Sequence, residues 1–511
     1  MVLKAIEKAF NDGYDNVLLE APVGSGKSAI AITVAKYYGD AHILTPRKSL
    51  QDQYHEDFQR EDLKLMKGRG AYPCTYPSVE RAVEYAAVLN RLGYHPKTTT
   101  NCASAPCIKS EKAYKACVGE NVDYPCPYKV AVERAGAASM VVHNLHSFIF
   151  QTNLAGWFQK RSVLILDEAH EMEGIIRGFI TKKINVPEFL SPDRIPKDLV
   201  TIQDWQQFLL GFINLFREDV TDEDTGKSER DLYVERVQFL DLVCEPSKAE
   251  FAVKVERDSL YDKTSFEFIP EKVSSPCNSL ILNYGQKRLL MSGTIYSKSL
   301  FCRNNGLDEE KTCFIRIPSS FPVSNRPIYL RGKYLIDTSH RMWDENFDKM
   351  IENTREIFGV FDDVKGLIHA PSYSAMVQLE HALRDTGRVI THNKDNFLVK
   401  LREFYDSKSN SVFISPICQQ GVDFKYDRAK FQIILRVPYA STSDAFVEKQ
   451  VRENFPWYNL QALITFGQQI GRVVRAEDDF GATILMDSRF VQFIHRNRSL
   501  LPTWLTAAVV R

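Results

Sequence analysis

Residues 17–28, VLLEAPVGSGKS, determine how the rest of this chain is interpreted. The stretch begins with apolar residues typical of a buried strand, passes through a glycine-rich turn and leads into a helix-forming segment from Ala29 to Tyr38. Gly24 and Gly26 allow the turn to bend so that its backbone N–H groups converge on phosphate oxygens, and the start of the helix adds a positive partial charge there. The pattern indicates a phosphate-binding loop in which Ala21 replaces the first glycine of the strict motif.

The side chains of this loop predict a site for a nucleoside triphosphate with magnesium. Lys27 is expected to reach the β- and γ-phosphates, and the Ser28 hydroxyl is expected to bind Mg²⁺. The residues assigned to nucleotide binding are Ala21, Pro22, Val23, Gly24, Ser25, Gly26, Lys27 and Ser28. The alternative is a flexible turn without a ligand, and the strand before the turn and the helix after it argue against that alternative.

The length and composition are those of a globular protein with several domains. The chain has 511 residues, of which 44% are hydrophobic and 25% are charged, and this length predicts three or four domains. Lys and Arg together number 65, as do Asp and Glu, so any nucleic-acid surface must be a local patch. No apolar run approaches the roughly 18 residues that a membrane span needs. Ten cysteines without a secretory signal indicate a reducing compartment, so we expect a cytoplasmic location.

The segment 67–130 differs from the rest of the chain in its cysteine content. It holds five of the ten cysteines, at positions 74, 102, 107, 117 and 126. No Cys-x-x-Cys pair occurs among them, so a structural zinc ribbon fits poorly. Their spacing suits a four-thiolate iron–sulfur cluster held by loops, and because five thiols compete for four places, one of them is spare. Chance clustering of buried cysteines is the alternative.

The same region carries a local excess of positive charge. Between residues 60 and 134, 12 Lys or Arg stand against 8 Asp or Glu, and tyrosines are interleaved with them. Basic side chains take phosphates and aromatic rings stack on bases, so this mixture suits binding to single-stranded nucleic acid.

A second part of the nucleotide site is predicted where an apolar strand, Val163–Leu166, leads directly into Asp167 and Glu168. Asp167 is expected to hold the Mg²⁺ shell, and Glu168 is expected to orient and deprotonate the attacking water. Acidic residues at a helix start are common, and it is the phosphate loop upstream that favours the catalytic interpretation. From Glu173 to about Pro276 the sequence has no chemical motif and is interpreted as an inserted, mainly helical domain.

The second half of the chain alternates apolar strands with helical segments, which predicts a parallel sheet. The predicted strands are 366–371, 412–415, 432–437 and 483–486. The fragment QGVDF follows a strand, and its Asp423 is expected to contact Mg²⁺-linked groups. In QQIGRVVR, Arg472 and Arg475 are three positions apart and are predicted to share one helical face. They would reach the γ-phosphate as arginine fingers if that helix faces the phosphate loop, and a basic surface helix is the alternative.

Taken in order, these motifs resemble those of the iron–sulfur helicases of superfamily 2, the XPD/DinG family. The matching motifs are EAPVGSGKS, ILTPRKSL, GRGAYPC, APC, CPY, VVHN, DEAH, MSGT, SSFP, APSY, QGVDF, QQIGRVVR and MDSRF. The resemblance implies an α/β fold with two RecA-like parallel-sheet motor domains, an inserted iron–sulfur cluster domain and an inserted mainly helical arch domain. The expected boundaries are 1–298 for the first motor domain, with insertions at 67–130 and 173–280, and 299–511 for the second.

The resemblance also implies a function. The expected activity is that of an ATP-dependent DNA helicase that moves 5′→3′ on single-stranded DNA, acts on DNA forks as a monomer, and uses ATP, Mg²⁺ and a 4Fe-4S cluster. The alternatives are a translocase that does not unwind processively and a non-catalytic nucleic-acid-binding module that carries the cluster. The span between His170 and Ile295 leaves room only for a small arch, which favours a compact viral or prokaryotic member of the family.

Site residues follow from the resemblance as well. The expected catalytic residues are Lys27, Asp167, Glu168, Gln468, Arg472 and Arg475. The expected cluster ligands are Cys74, Cys107, Cys117 and Cys126. Cys102 is then the spare thiol, and a pairing of Cys102 with Cys107 is the alternative. The adenine-reading Gln that many helicases carry ahead of the first strand is missing here, so the sequence does not predict nucleobase specificity.

Overall fold

The computed structural model describes residues 1–59, 62–74, 101–102, 126–222, 227–407, 410–418, 422, 424 and 426–510. The strands are β1 Asn16–Glu20, β2 Ala41–Thr45, β3 Leu63–Met66, β4 Met140–Asn144, β5 Arg161–Leu166, β6 Lys182–Val186, β7 Phe251–Asp258, β8 Lys263–Pro270, β9 Gly285–Ser292, β10 Thr312–Arg316, β11 Ile328–Tyr329, β12 Gly366–His369, β13 Val389–Ile390, β14 Val412–Ser415, β15 Phe431–Ile434, β16 Ala482–Leu485 and β17 Val509–Val510.

The α-helices vary widely in length. They are α1 Val2–Asn11, α2 Lys27–Tyr38, α3 Lys48–Asp57, α4 Pro127–Ala137, α5 Leu145–Ile149, α6 Met172–Ile180, α7 Ile202–Leu210, α8 Glu229–Gln238, α9 Ser274–Leu280, α10 Lys298–Asn305, α11 Phe347–Val360, α12 Tyr373–Leu383, α13 Phe397–Asp406, α14 Ala445–Glu453, α15 Phe455–Ile470, α16 Phe490–Arg496 and α17 Thr503–Thr506. Within the described part of the chain, none of the helices has both the length and the apolar composition needed to cross a bilayer.

The first large sheet has seven parallel strands in the order β10-β1-β9-β5-β2-β4-β3. Its strands β1, β2 and β4 are buried along their whole length, as their continuous apolar runs require when helices cover both faces of a parallel sheet. Strands β1 and β5 both flank β9, so the segments that follow these three strands meet at the same carboxyl edge. Ligand sites of open α/β sheets form at this edge.

The second large sheet is also parallel and has the order β13-β14-β12-β15-β16-β11-β17. One of its faces packs against α11 and α12, and α15 packs with the other face. The two sheets confirm the predicted fold class of two RecA-like α/β motor domains, and the strands predicted from the apolar runs in this half all form.

A third sheet belongs to the insertion between the motor-domain segments and has three antiparallel strands in the order β6-β8-β7. Its buried phenylalanines, Phe266 and Phe268, alternate along β8 and pack with Trp205 of α7 and Tyr233 of α8. The insertion thus adds an antiparallel sheet to the helices that the sequence led us to expect.

The domain division at residues 298 and 299 stays a prediction. Strand β10, Thr312–Arg316, pairs with β1 and therefore extends the first sheet beyond that division. Most of the predicted cluster domain, residues 67–130, lies outside the described residues.

Candidate nucleotide site and cysteine group

The phosphate loop joins the end of β1 to the start of α2. Gly24 and Gly26 have φ values of 77° and 75°, in the left-handed region that favours glycine. Gly26 is the N-cap residue of α2, and the Ser25 hydroxyl donates a hydrogen bond of 2.6 Å to the carbonyl oxygen of Pro22. The turn thus directs the chain into the amino end of α2, where unpaired backbone N–H groups and the helix dipole favour an anion.

Lys27 lies between the phosphate loop and the segment that follows β5. Its Nζ donates to the carbonyl oxygen of Ala21 at 3.4 Å and lies 3.9 Å from Glu168 Oε1. The sequence-predicted phosphate ligand and the sequence-predicted base are therefore neighbours, as the strand order requires.

Both carboxylates after β5 are held by hydrogen bonds or charge. Asp167 is buried, and its Oδ1 accepts a hydrogen bond of 3.0 Å from the Glu168 backbone N–H. Burial, and then the neighbouring charge of Glu168, raises the pKa of Asp167 to about 6. Glu168 has a left-handed backbone with a φ of 51°. Burial acts to raise the pKa of Glu168, but positive charge around it, chiefly that of Lys27, outweighs burial and lowers that pKa.

A path of hydrogen bonds connects the DEAH segment with the second motor domain. His170 Nδ1 lies 2.9 Å from Ser292 Oγ, and Ser292 Oγ lies 3.4 Å from Thr294 Oγ1. Gln468 of α15 donates from Nε2 to Thr294 Oγ1 at 3.1 Å. Burial lowers the pKa of His170, so the ring is neutral at physiological pH. The predicted residue Gln468 therefore contacts the end of β9.

Arg472 and Arg475 do not share a helical face, and that prediction is wrong because α15 ends at Ile470. Arg472 is buried and donates to the Val422 carbonyl oxygen at 2.7 Å and to Gln468 Oε1 at 3.0 Å. Arg475 donates to the same Val422 oxygen at 3.4 Å. Burial, and then the charge of Arg475, lowers the pKa of Arg472 to about 9, while Glu168 acts in the opposite direction.

A pocket between the two motor domains collects residues from both of them. Pro22, Val23 and Gly293 line it from the first domain, and Gln468 and Arg472 line it from the second. Asp423, which the sequence also assigned to the nucleotide, lies outside the described residues.

Two contacts at this site were not predicted from the sequence. Tyr54 of α3 donates from its hydroxyl to Asp167 Oδ2 at 3.0 Å, and the Phe321 ring packs against Gly24. Tyr54 stands three positions after the buried Gln51, and this helical spacing is the signal that could have placed it inside. For Phe321 the sequence offers only its place in the SSFP motif.

Three of the five clustered cysteines lie in the described residues, and they are close together. Cys102 Sγ is 3.9 Å from Cys126 Sγ, and both pack in one small core with Cys74. Burial, and then the neighbouring Cys126, raises the pKa of the Cys102 thiol to about 12. Cys107 and Cys117 lie outside the described residues. In the described ranges, no group of three or more His, Cys, Asp or Glu is arranged to hold a metal ion.

Comparison with known proteins finds matches for parts of both motor segments. A family model of the helicase C-terminal domain matches residues 361–508, and a model of the type III restriction enzyme res subunit matches residues 1–76. A regulator of telomere elongation helicase 1 homolog from Aedes aegypti is 30% identical over 171 residues, covering 27% of this chain and 17% of that protein. A protein of the same description from Drosophila melanogaster is 34% identical to this chain over 119 residues, covering 19% of this chain and 12% of that protein. The matched part is less than a fifth of the length of either relative.

Solved structures match over the whole fold. A structure titled XPD helicase has a TM-score of 0.64 and 16% identity and covers 100% of this chain and 98% of its own. The structure of S. tokodaii Xpd4 has a TM-score of 0.57 and 15% identity, with coverages of 97% and 96%. The fold is therefore that of the XPD helicases. Together with this fold, the helicase matches bear out the resemblance to the XPD/DinG helicases.

Proposed function

We propose that this chain is an ATP-dependent DNA helicase that moves on single-stranded DNA. The observation that carries the proposal is the meeting of both motor domains at one cleft, where the phosphate loop and the DEAH segment face Gln468 and Arg472. A site divided between two domains changes shape when nucleotide is bound and hydrolysed, and such gating can drive movement along a strand.

In the proposed reaction, each residue of the cleft has a distinct role. Lys27 and the N–H groups of the loop bind the β- and γ-phosphates. Ser28 and Asp167 offer hydroxyl and carboxylate oxygens, which are the ligands that Mg²⁺ prefers, so the residues present fit this ion. Bound Mg²⁺ would neutralise charge on the phosphate oxygens. Gln468, Arg472 and Arg475 approach from the second domain, where the arginines would stabilise the charge that develops on the γ-phosphate.

Glu168 is suited to the role of general base because its carboxylate is ionised before a nucleotide arrives. Its nearest positive charge is Lys27, 3.9 Å away. When Lys27 turns to the phosphates, Glu168 loses part of this stabilisation, and its affinity for a proton rises. The carboxylate then accepts the proton of the attacking water more readily.

The hydrogen-bonded path from His170 to Gln468 supports coupling between hydrolysis and domain movement. It begins two residues after the proposed base and ends on the helix that precedes Arg472. A change at the γ-phosphate can therefore bias the position of α15 relative to β9. We propose that this bias moves single-stranded DNA through the protein in the 5′→3′ direction, with a DNA fork as the substrate.

The test is ATP hydrolysis measured with and without single-stranded DNA, together with separation of a tailed duplex. Lys27→Ala should reduce hydrolysis by at least about ten- to hundredfold, because a charge-assisted contact to phosphate contributes about 1.5–3 kcal/mol or more. Lys36→Ala changes an exposed lysine in the last turn of the same helix and is the matched control. Normal hydrolysis by folded Lys27→Ala would contradict the proposed site, and DNA-stimulated hydrolysis without strand separation would indicate a translocase instead.

We also propose that the cysteine group holds a 4Fe-4S cluster. The thiols of Cys74, Cys102 and Cys126 share one core, which supports Cys102 as a ligand paired with Cys107, the alternative to its being spare. Thiolates are the ligands that such clusters use, so the donor set fits. A bound cluster would contribute folding energy to the cysteine region.

Iron and sulfide analysis of anaerobically purified protein tests the cluster. Cys102→Ser should bleach the protein and Cys117→Ser should leave it brown, while Cys244→Ser in the arch is the control. The reverse pattern at positions 102 and 117 would restore the set Cys74, Cys107, Cys117 and Cys126. Stoichiometric zinc with little iron would contradict the cluster altogether.

We further propose that the protein works as a monomer in the cytoplasm of a prokaryotic or virus-infected cell. The ten cysteines without a secretory signal and the compact arch support this proposal.

A further inference from the structure

Tyr54 lies entirely inside the first motor domain, next to the residues proposed to bind magnesium. Its side chain is 0% exposed, and its ring belongs to the core beneath β1 and β2. The hydroxyl donates to Asp167 Oδ2 at 3.0 Å. One phenol on α3 therefore contacts a proposed Mg²⁺ ligand that follows β5.

The direction of this hydrogen bond follows from the protons available. An ionised carboxylate can only accept, so the single phenolic proton of Tyr54 is donated to Asp167.

Asp167 is fixed at both oxygens by this arrangement. Oδ1 accepts from the Glu168 backbone and Oδ2 from Tyr54, so the carboxylate plane cannot rotate freely. The helix that carries Tyr54 is itself tied to the DEAH segment, because Arg47 donates to Glu171 Oε1 at 2.6 Å. The two contacts attach α3 to the chain that follows β5.

We propose that Tyr54 is a positioning residue that orients Asp167 for a divalent cation, an inference that rests on the proposed ATP-dependent function. Packing alone would not require the hydroxyl, since a phenylalanine ring would fill the same space. A buried hydroxyl is costly without a partner, and here its partner, Asp167, belongs to the site. Residues that hold metal ligands in this way typically affect metal affinity as strongly as ten- to hundredfold.

The experiment measures binding of a fluorescent, non-hydrolysable ATP analogue at increasing concentrations of magnesium. In the wild type, magnesium should tighten binding relative to EDTA. Tyr54→Phe should bind the analogue normally in EDTA but need about tenfold more magnesium, or still more, for half of the tightening. Tyr38→Phe removes a phenol from the last turn of α2, where the ring packs edge-on with Phe10, and should leave the magnesium requirement unchanged.

A double variant separates positioning from a general loss of packing. On an Asp167→Asn background, Tyr54→Phe should add no further change in magnesium requirement, because residues that act through one another are not additive. Tyr54→His keeps a ring with an N–H donor and should restore part of the magnesium affinity that Tyr54→Phe loses. This variant also provides a second test if Tyr54→Phe is too unstable to measure.

The outcomes distinguish the inference from the function on which it rests. If magnesium fails to tighten binding in the wild type, the proposed function and this inference are both wrong. If wild type responds and Tyr54→Phe responds at the same magnesium concentration, only the inference is wrong. An equal loss of affinity in EDTA and in magnesium would likewise overturn it, since that is the result of disturbed packing.

Discussion

Replacement of Glu173 by Ala should destabilise the junction of the two motor domains and the arch. Glu173 Oε1 accepts hydrogen bonds of 2.6 Å from both Arg177 and Trp457, and Oε2 accepts from Asn304 at 3.3 Å. Glu173 and Arg177 lie in α6 and Trp457 lies in α15 of the second motor domain. Arg177 also covers the Phe446 ring at 4.4 Å. One buried carboxylate therefore joins elements that are far apart in the chain.

The size of the effect follows from burial. Glu173 and Arg177 are each 8% exposed, so removal of the carboxylate leaves a guanidinium charge with little access to water. Breaking a buried pair from one side costs about 3–5 kcal/mol. In domains of about 150–250 residues, each kcal/mol lowers the melting temperature by about 2–4 °C, so we expect a fall on the order of 10 °C. Glu173→Gln keeps an acceptor for Trp457 and should lose less than half as much.

Scanning calorimetry of the three proteins measures this difference. Glu250→Ala is the control, because its ion pair with Lys272 is exposed and such pairs contribute about 0–1 kcal/mol. A Glu173→Ala protein that melts within about 2 °C of the wild type would refute the reasoning, since at about 2–4 °C per kcal/mol that corresponds to 1 kcal/mol or less. Equal losses for the Ala and Gln variants, both of which lack the charge, would contradict the role given to the acceptor.

Three further predictions concern the motor domains. Gly24→Ala should weaken nucleotide binding more than tenfold in a titration, because a Cβ at this φ of +77° would lie 2.2 Å from a ring carbon of Phe321. Adding Phe321→Ala to the Gly24→Ala variant should restore part of the lost affinity. Burial lowers the pKa of His42 to about 3, so the folded state keeps this ring neutral while the unfolded chain takes up a proton below about pH 6.5. Stability should therefore fall by up to about 1.4 kcal/mol per pH unit as pH drops from 6.5, and His42→Gln should flatten that fall in urea unfolding curves. Arg472→Ala should reduce the hydrolysis rate by about 10³-fold or more with little change in nucleotide affinity. Equal losses of rate and affinity would show that Arg472 contacts the bound nucleotide before the transition state.

Local sequence patterns were sufficient to locate the elements that depend only on neighbouring residues. The apolar runs located central strands of both sheets, and β14 has the predicted bounds. The helical assignment was wrong for the motif QQIGRVVR, which extends beyond the end of its helix. Arg472 and Arg475 were assigned to one helix, yet Gly471 caps α15, and glycine disfavours continued helix. Strand β10 lies beyond residue 298 and still pairs in the first sheet, because a five-residue strand has no local sign of which sheet it joins.

The sequence by itself determined the phosphate loop and the carboxylates after β5, because each depends on residue types at short spacing. The two-motor architecture was implied by the resemblance of the ordered motifs to a known family. Tertiary structure alone decided which distant residues meet. Tyr54 and Asp167 are 113 positions apart, and Glu173 and Trp457 are 284 positions apart. Such contacts depend on how a helix packs on a sheet and how one domain rests on another, and no local periodicity encodes these geometries.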